Sequence, residues 1–171
     1  TAGVTWGNDV IAFKNKGVYR GRFLNVGDII WEWSLIPGGE KLGAWGPGCV
    51  VQTGNKVYFV GDQGFWSFDG SNFQPEDLGM WDTLNSFLAG GVGGANAFSK
   101  LLYDQVTGLV TIHQPGVYIN GSARTGDAEE FYSFHVLSGQ WGHQSRLTDA
   151  GTNTYPCVVE GFETSWLSGA P

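Results

Sequence analysis

Gly7-Asn8-Asp9-Val10 returns 47 residues later as Gly54-Asn55-Lys56-Val57. No other feature restricts the fold as much, because a chain that repeats a short unit must build its core by stacking like units on one another. Continued without a gap, the same offset places Gly17-Val18-Tyr19 on Gly64-Phe65-Trp66, and four of the fourteen positions from Gly7 to Arg20 are identical. A third copy of the Gly-apolar-aromatic signature is Gly116-Val117-Tyr118, which places Leu109-Val110-Thr111-Ile112 on Val57-Tyr58-Phe59-Val60. A second marker, Pro47-Gly48-Cys49-Val50-Val51, returns as Pro156-Cys157-Val158-Val159. Its cysteines are 108 residues apart, about 14 more than two periods of 47, which places an insertion in Ile119–Glu130 or Leu88–Ala97. The whole chain, 1–171, therefore reads as a single β-repeat region, with repeats at about 4–46, 47–96 and 97–154 and the start of another at 155.

Within each repeat the local signals are strands and tight turns. Val57–Val60 and Phe65–Phe68 are short β-branched and aromatic runs on either side of Gly61-Asp62-Gln63-Gly64. Asp69-Gly70 closes the second run with a dipeptide that accepts positive φ in a turn. Val10–Phe13 and Val18–Phe23 flank Asn15-Lys16-Gly17 in the first repeat, and Leu101–Tyr103 and Leu109–Ile112 flank Val106-Thr107-Gly108 in the third. Phe131–Val136 then meets Gln140-Trp141 across Ser138-Gly139. Each unit is a small antiparallel meander. One segment departs from the pattern: Trp81, Leu84, Phe87 and Leu88 have helical spacing between Asp77 and Ala89, and Gly90–Gly94 would end a helix there. The spacing predicts one short helix; the alternative is an irregular loop with apolar anchors.

Composition agrees with an all-β chain. Glycine supplies 28 of 171 residues, roughly twice the ordinary share of ~7%. Aromatic residues make up 15%, which excludes a disordered tail. The formal charge is −7, and the nine Lys and Arg residues are scattered, so no basic stripe exists to displace counterions from a nucleic acid. No apolar run approaches the ~20 residues of a membrane-spanning helix.

Four-stranded meanders repeating every ~40–50 residues point to a β-propeller. The expected fold is all-β, with about three blades, the start of a fourth and one short helical insertion. Propellers close with ~4–8 blades, so either residues outside this chain or further copies of it would complete a ring. The alternative is a β-sandwich or irregular β-domain with repeated hairpins.

The stretch from Gly48-Cys49-Val50-Val51 through Val57-Tyr58-Phe59-Val60-Gly61-Asp62-Gln63-Gly64-Phe65-Trp66-Ser67-Phe68-Asp69-Gly70 resembles the blade signature of bacteriophage tail propeller proteins, of the tail nozzle, hub and head-completion adaptor type. Tyr103-Asp104-Gln105-Val106-Thr107-Gly108 and His135–Trp141 are similar to the hairpins that close such blades. The resemblance implies a non-enzymatic structural component of a virion tail or head-tail assembly, forming part of the conduit for DNA ejection. The implied partners are other tail or portal-adaptor proteins in a homo-oligomer or ring, with DNA only in transit. An acidic chain would suit such a passage, because like charge discourages DNA from sticking.

The residues that could carry chemistry read as turn and core positions. His113, His135 and His143 have no metal-ligand spacing. His135 reads as a half-exposed strand residue. Cys49 and Cys157 occupy equivalent places in different repeats and read as two buried thiols rather than a disulfide, which needs Cα atoms within ~7 Å. Asp62-Gln63-Gly64 only partly fits the turn box of sialidase-like propellers, since Val60 stands where its serine belongs and Trp66 comes one residue early. Asp104–Gly108 resembles a quinoprotein blade hairpin, but Ile112 replaces the tryptophan. Glycosidase chemistry needs two carboxylates ~5–10 Å apart, and Glu76-Asp77 and Glu129-Glu130 read instead as solvated loop pairs. No catalytic, cofactor-binding or metal-binding residue is expected, and no cofactor.

Tryptophan leaves a second function open. Trp31 and Trp33 share one face if their stretch is a strand, and with Trp45 they would suit a carbohydrate-binding, lectin-like propeller recognising a host surface glycan. Trp66 and Trp141 read as wedges between blades. A third possibility is a hydrolase whose catalytic residues lie elsewhere.

Overall fold

The computed structural model describes residues 1–77, 79–89, 100–113, 118–119, 122–123 and 129–146. Three four-stranded antiparallel sheets account for most of them. The first is a simple meander of β1 (Ala2–Trp6), β2 (Asp9–Lys14), β3 (Gly17–Val26) and β4 (Ile29–Leu35). A 3-10 turn at Pro47–Cys49 leads into the second, formed by β5 (Val50–Gln52), β6 (Val57–Gly61), β7 (Gly64–Phe68) and β8 (Phe73–Pro75). Helix α1 (Trp81–Ala89) follows, as its apolar spacing predicts, with Asp82 in the first turn, where a carboxylate favours the helix dipole. Leu84 on this helix is fully buried.

The third sheet contains β9 (Lys100–Asp104), β10 (Leu109–His113), β13 (Glu129–His135) and β14 (Trp141–Arg146). A two-stranded hairpin of β11 (Tyr118–Ile119) and β12 (Ser122–Ala123) is inserted between β10 and β13. The fold is all-β with one short helix, as the sequence predicts. The second marker at Pro156-Cys157 lies outside the described residues, as does Gly90–Ala97.

The sheets stack face to face. Residues paired directly across a ladder share a face, and alternate residues along a strand return to it. In the first sheet Trp6, Ile11, Phe13 and Val18 share the face directed at the second sheet. Phe13 meets Phe59 there at 4.8 Å between ring centroids, and Trp6 meets Phe68 at 6.1 Å. The second sheet is buried on both faces: Val57, Phe59 and Phe68 look back to the first sheet, while Tyr58, Val60 and Phe65 look forward. Phe134 of the third sheet then packs on Tyr58 at 5.7 Å and Phe65 at 5.5 Å. The first strands lie together along one side of the stack, β1 beside β5 and β5 beside β9. Alternation of buried residues is thus clear in β2 and lost in β6, as expected of a sheet covered on both faces.

Register corrects the third repeat. Val57 pairs with Phe68 and Tyr58 with Ser67, while Val110 pairs with Phe134 and Thr111 with Ser133. Val110-Thr111-Ile112-His113 is therefore the counterpart of Val57-Tyr58-Phe59-Val60, one residue out of phase with the match made from sequence. The counterpart of Phe65-Trp66-Ser67-Phe68 is Phe131-Tyr132-Ser133-Phe134. Gly116-Val117-Tyr118 is not the third-strand signature, because Tyr118 belongs to the inserted hairpin. The second strands are offset by 53 residues and the third strands by 66, so 13 extra residues lie between them.

The connection between the first two sheets threads through a narrow place. Ala44 N–H donates to the Lys14 carbonyl and Trp45 N–H to the Val60 carbonyl. A Cβ on Gly43 would lie 2.1 Å from the Lys14 carbonyl oxygen, and one on Gly61 would lie 2.1 Å from the Gly43 carbonyl oxygen. Both positions need glycine because backbone approaches backbone.

Candidate interaction surface

The first sheet has a second face, and it is apolar. Tyr19, Gly21 and Phe23 of β3 pair with Leu35, Trp33 and Trp31 of β4, which places all six on the face turned away from the second sheet. Trp31 is 42% exposed, while Phe23 and Trp33 are each 52% exposed. Their rings form a continuous row: Phe23 meets the edge of Trp31 at 5.4 Å, and Trp31 stacks on Trp33 at 6.1 Å. The six-membered ring of Trp33 lies on Gly21, where a Cβ would be 2.7 Å from it. Beyond Phe23 the ladder has an irregularity with Asn25 at φ +49°, and the exposed Val26 and Ile29 extend the row. Contiguous apolar surface of this kind marks a place of contact in a soluble protein.

The sequence reading placed Trp31 and Trp33 on one face, and they are. Trp45 does not join them. Its indole N–H donates to the Asp62 carboxylate and its ring packs on Trp81 of α1 at 6.2 Å, so it belongs to the joint between the second sheet and the helix. Trp141 wedges between sheets as predicted, 5.2 Å from Phe65, and donates its N–H to the Glu76 carbonyl. Trp66 donates to the Gln63 carbonyl and braces its own hairpin.

The carboxylate pairs differ from the expected solvated loops. Glu76 is buried: Ser67 Oγ donates to Oε1 at 2.7 Å and Lys56 Nζ at 3.1 Å. Its Oε1 ties β7 and Lys56 to the chain after β8. Glu129 and Glu130 lie in β13, opposite Arg146 and Ser145.

The remaining candidates serve turns or packing. Asp104 accepts from Val106 N–H at 2.8 Å and from the Thr107 hydroxyl and N–H, an arrangement that holds its carboxyl below the usual range, with the Thr107 hydroxyl the largest cause. Asp69 is likewise held down, first by Asn72 N–H and then by Ser71 N–H. His135 Nδ1 lies 2.8 Å from Ser138 Oγ and caps the β13–β14 turn. His143 is exposed and stacks on Tyr132 at 4.7 Å. His113 is buried, and burial with the nearby Lys100 charge depresses it to about 4. The Cys49 thiol is buried and pushed up to about 11 by that burial, which makes it a poor nucleophile. Cys157 lies outside the described residues. Among the described residues no group of three His, Cys, Asp or Glu is placed to hold a metal ion, and no helix is long and apolar enough to cross a membrane.

The aromatic row was only half visible in the sequence. Trp31 and Trp33 announced it, but Phe23 joins through the β3–β4 register, which a single strand cannot reveal. No protein-family model matches the chain, and no curated protein does either.

Proposed function

We propose that the chain is a non-enzymatic structural subunit of a propeller-type ring, and that its setting is a bacteriophage tail or head-tail assembly where the ring forms part of the DNA conduit. One observation carries the structural part. Successive four-stranded sheets stack in one sense with their first strands together, and the stack begins with an exposed aromatic face that no other described sheet covers. Such an end fits a unit completed by something else. The tail setting rests on the blade signature of Gly48–Gly70 and on the hairpins at Tyr103–Gly108 and His135–Trp141. Its test is mass spectrometry of purified virions from a phage encoding the chain, combined with antibody labelling in electron micrographs. A fixed copy number per particle and label on the tail are expected; absence from the particle would sink the tail assignment. If the acids line a lumen, neutralising those facing it should slow or stall ejection.

A second reading has an observation of its own. The Trp31–Trp33 stack presents exposed aromatic faces of the type that pack on sugar rings. Glycan-array binding by the wild type that disappears in Trp31→Ala and Trp33→Ala, and persists in Trp45→Ala, would favour a carbohydrate-binding module.

A further inference from the structure

We infer that the outer aromatic face of the first sheet receives a sheet from a second copy of this chain, stacked in the same sense as the three sheets within it. This inference rests on the structural-subunit reading and names the interface through which it operates.

The internal repeat supplies the reason. By register, Val10, Ala12 and Tyr19 of the first sheet correspond to Val57, Phe59 and Trp66 of the second and to Val110, Ile112 and Tyr132 of the third. In the second and third sheets this face lies against the sheet before it, through Phe59 on Phe13 and through Phe134 on Tyr58 and Phe65. In the first sheet the same face has no such cover among the described residues, and β4 is exposed along its length.

The composition of the face shows that it does not serve as a cap. Terminal units of a stacked array stay soluble by presenting a polar outer face. Here the position held by Phe68 and Phe134 in the other sheets is Gly21, and the Trp33 ring reaches across from β4 to lie on it. An aromatic surface is thus restored where a cap would be polar. Phe23 and Trp31 extend it over the outer half of the sheet. The face that covers it elsewhere in the chain is of a different kind, formed from the opposite sides of the strands. Association between copies is therefore head-to-tail, joining two unlike patches, and closes into a ring or continues as a stack.

The test is the native mass of the full chain across a concentration series, by mass spectrometry and sedimentation. Wild type is compared with a Phe23→Ser, Trp31→Ser double variant and a Val106→Ser, Leu137→Ser double variant. Val106 and Leu137, 95% and 87% exposed, lie in the β9–β10 and β13–β14 turns of the third sheet and not on the first sheet's face. The expected result is a discrete wild-type multimer, unchanged in the turn variant and weakened on the order of 10–100-fold in the face variant, the scale of losing anchoring aromatics. Hydroxyl-radical footprinting of wild type supplies a reading independent of any variant: Trp31 and Trp33 should become protected as the concentration rises. A multimer that persists in the face variant with both tryptophans still reactive overturns the inference and leaves the structural-subunit reading standing. A wild type that stays monomeric up to millimolar concentration overturns both. A monomer with both tryptophans already shielded would mean that the chain covers its own face, and that too overturns the inference.

Discussion

Phe134→Ala should separate the third sheet from the second. The Phe134 ring is 1% exposed and lies 5.7 Å from Tyr58, 5.5 Å from Phe65 and 5.2 Å from Trp141. Truncating a fully buried phenylalanine costs ~3–5 kcal/mol, the sum of lost transfer energy and the cavity left behind. Three aromatic neighbours place this site in the upper half of that range, because each well-oriented pair adds ~0.5–1.5 kcal/mol beyond its area. For a domain of this size a loss of ~4–5 kcal/mol corresponds to a fall of ~8–20 °C in Tm, at ~2–4 °C per kcal/mol.

The comparison that gives this number meaning is Phe23→Ala in the first sheet. Phe23 is 52% exposed and its ring contact is the edge of Trp31, so at a concentration where the chain is dissociated its loss should stay below ~1 kcal/mol. Urea unfolding of both variants, followed by tryptophan fluorescence and circular dichroism, gives the two values. A loss below ~1.5 kcal/mol for Phe134→Ala, or equal losses in the two variants, would refute the stacking of the second sheet on the third through this ring.

Three further outcomes follow from the same structure. Glu76→Ala leaves the buried Ser67 hydroxyl and Lys56 without their shared acceptor and should cost ~2–3 kcal/mol, while Glu76→Gln, which can still accept from Ser67, should cost clearly less; equal and small losses in urea titrations would show that the group is not engaged. His113 is depressed to about 4 by burial first and Lys100 second, so it stays neutral in the fold while the unfolded chain protonates below ~6.5. Its contribution is complete above that pH and fades as pH falls toward 4, with ~2 kcal/mol gone by pH 5; His113→Leu should flatten that stretch of the stability curve, and parallel curves for variant and wild type would contradict the assignment. Gly43→Ala sets a Cβ against the Lys14 carbonyl oxygen at 2.1 Å and should prevent or severely weaken folding, whereas Gly54→Ala, with nothing within 4 Å, should be neutral or stabilising by up to ~1 kcal/mol; solubility and Tm of the pair decide.

Much of the architecture was legible because it depends on local signals. Val57–Val60 and Phe65–Phe68 identify themselves by β-branched and aromatic content, and the glycines and Asp-Gly between them mark the reversals. Helix α1 showed through the spacing of Trp81 and Leu84. Glu76 reads as a solvated loop residue because its neighbours in sequence are loop-like, while its partners, Ser67 and Lys56, are 9 and 20 residues away. Proximity in sequence groups Trp45 with Trp31 and Trp33, yet its ring and its N–H are used by Trp81 and Asp62. In both cases the deciding contact is tertiary, and no window of neighbouring residues contains it.

The phase of the third repeat matters most for the surface. Matching Leu109–Ile112 to Val57–Val60 is reasonable by composition, since both runs are apolar and of equal length. A shift of one residue nevertheless exchanges the two faces of a strand. In that phase Val110 and Ile112 would correspond to Tyr58 and Val60, which face forward, and the third sheet would seem to pack by a different rule from the second. The ladder pairs Val110 with Phe134 and Val57 with Phe68, and with that phase one rule describes both junctions: each sheet lays the face of its Val57-type position on the sheet before it. Only then does the first sheet's Val10, Tyr19 and Trp33 face become recognisable as the same surface with no neighbouring sheet among the described residues. The uncovered end of the stack is therefore a consequence of register, and a correct phase is what turns an exposed group of aromatic residues into a face with a defined kind of partner.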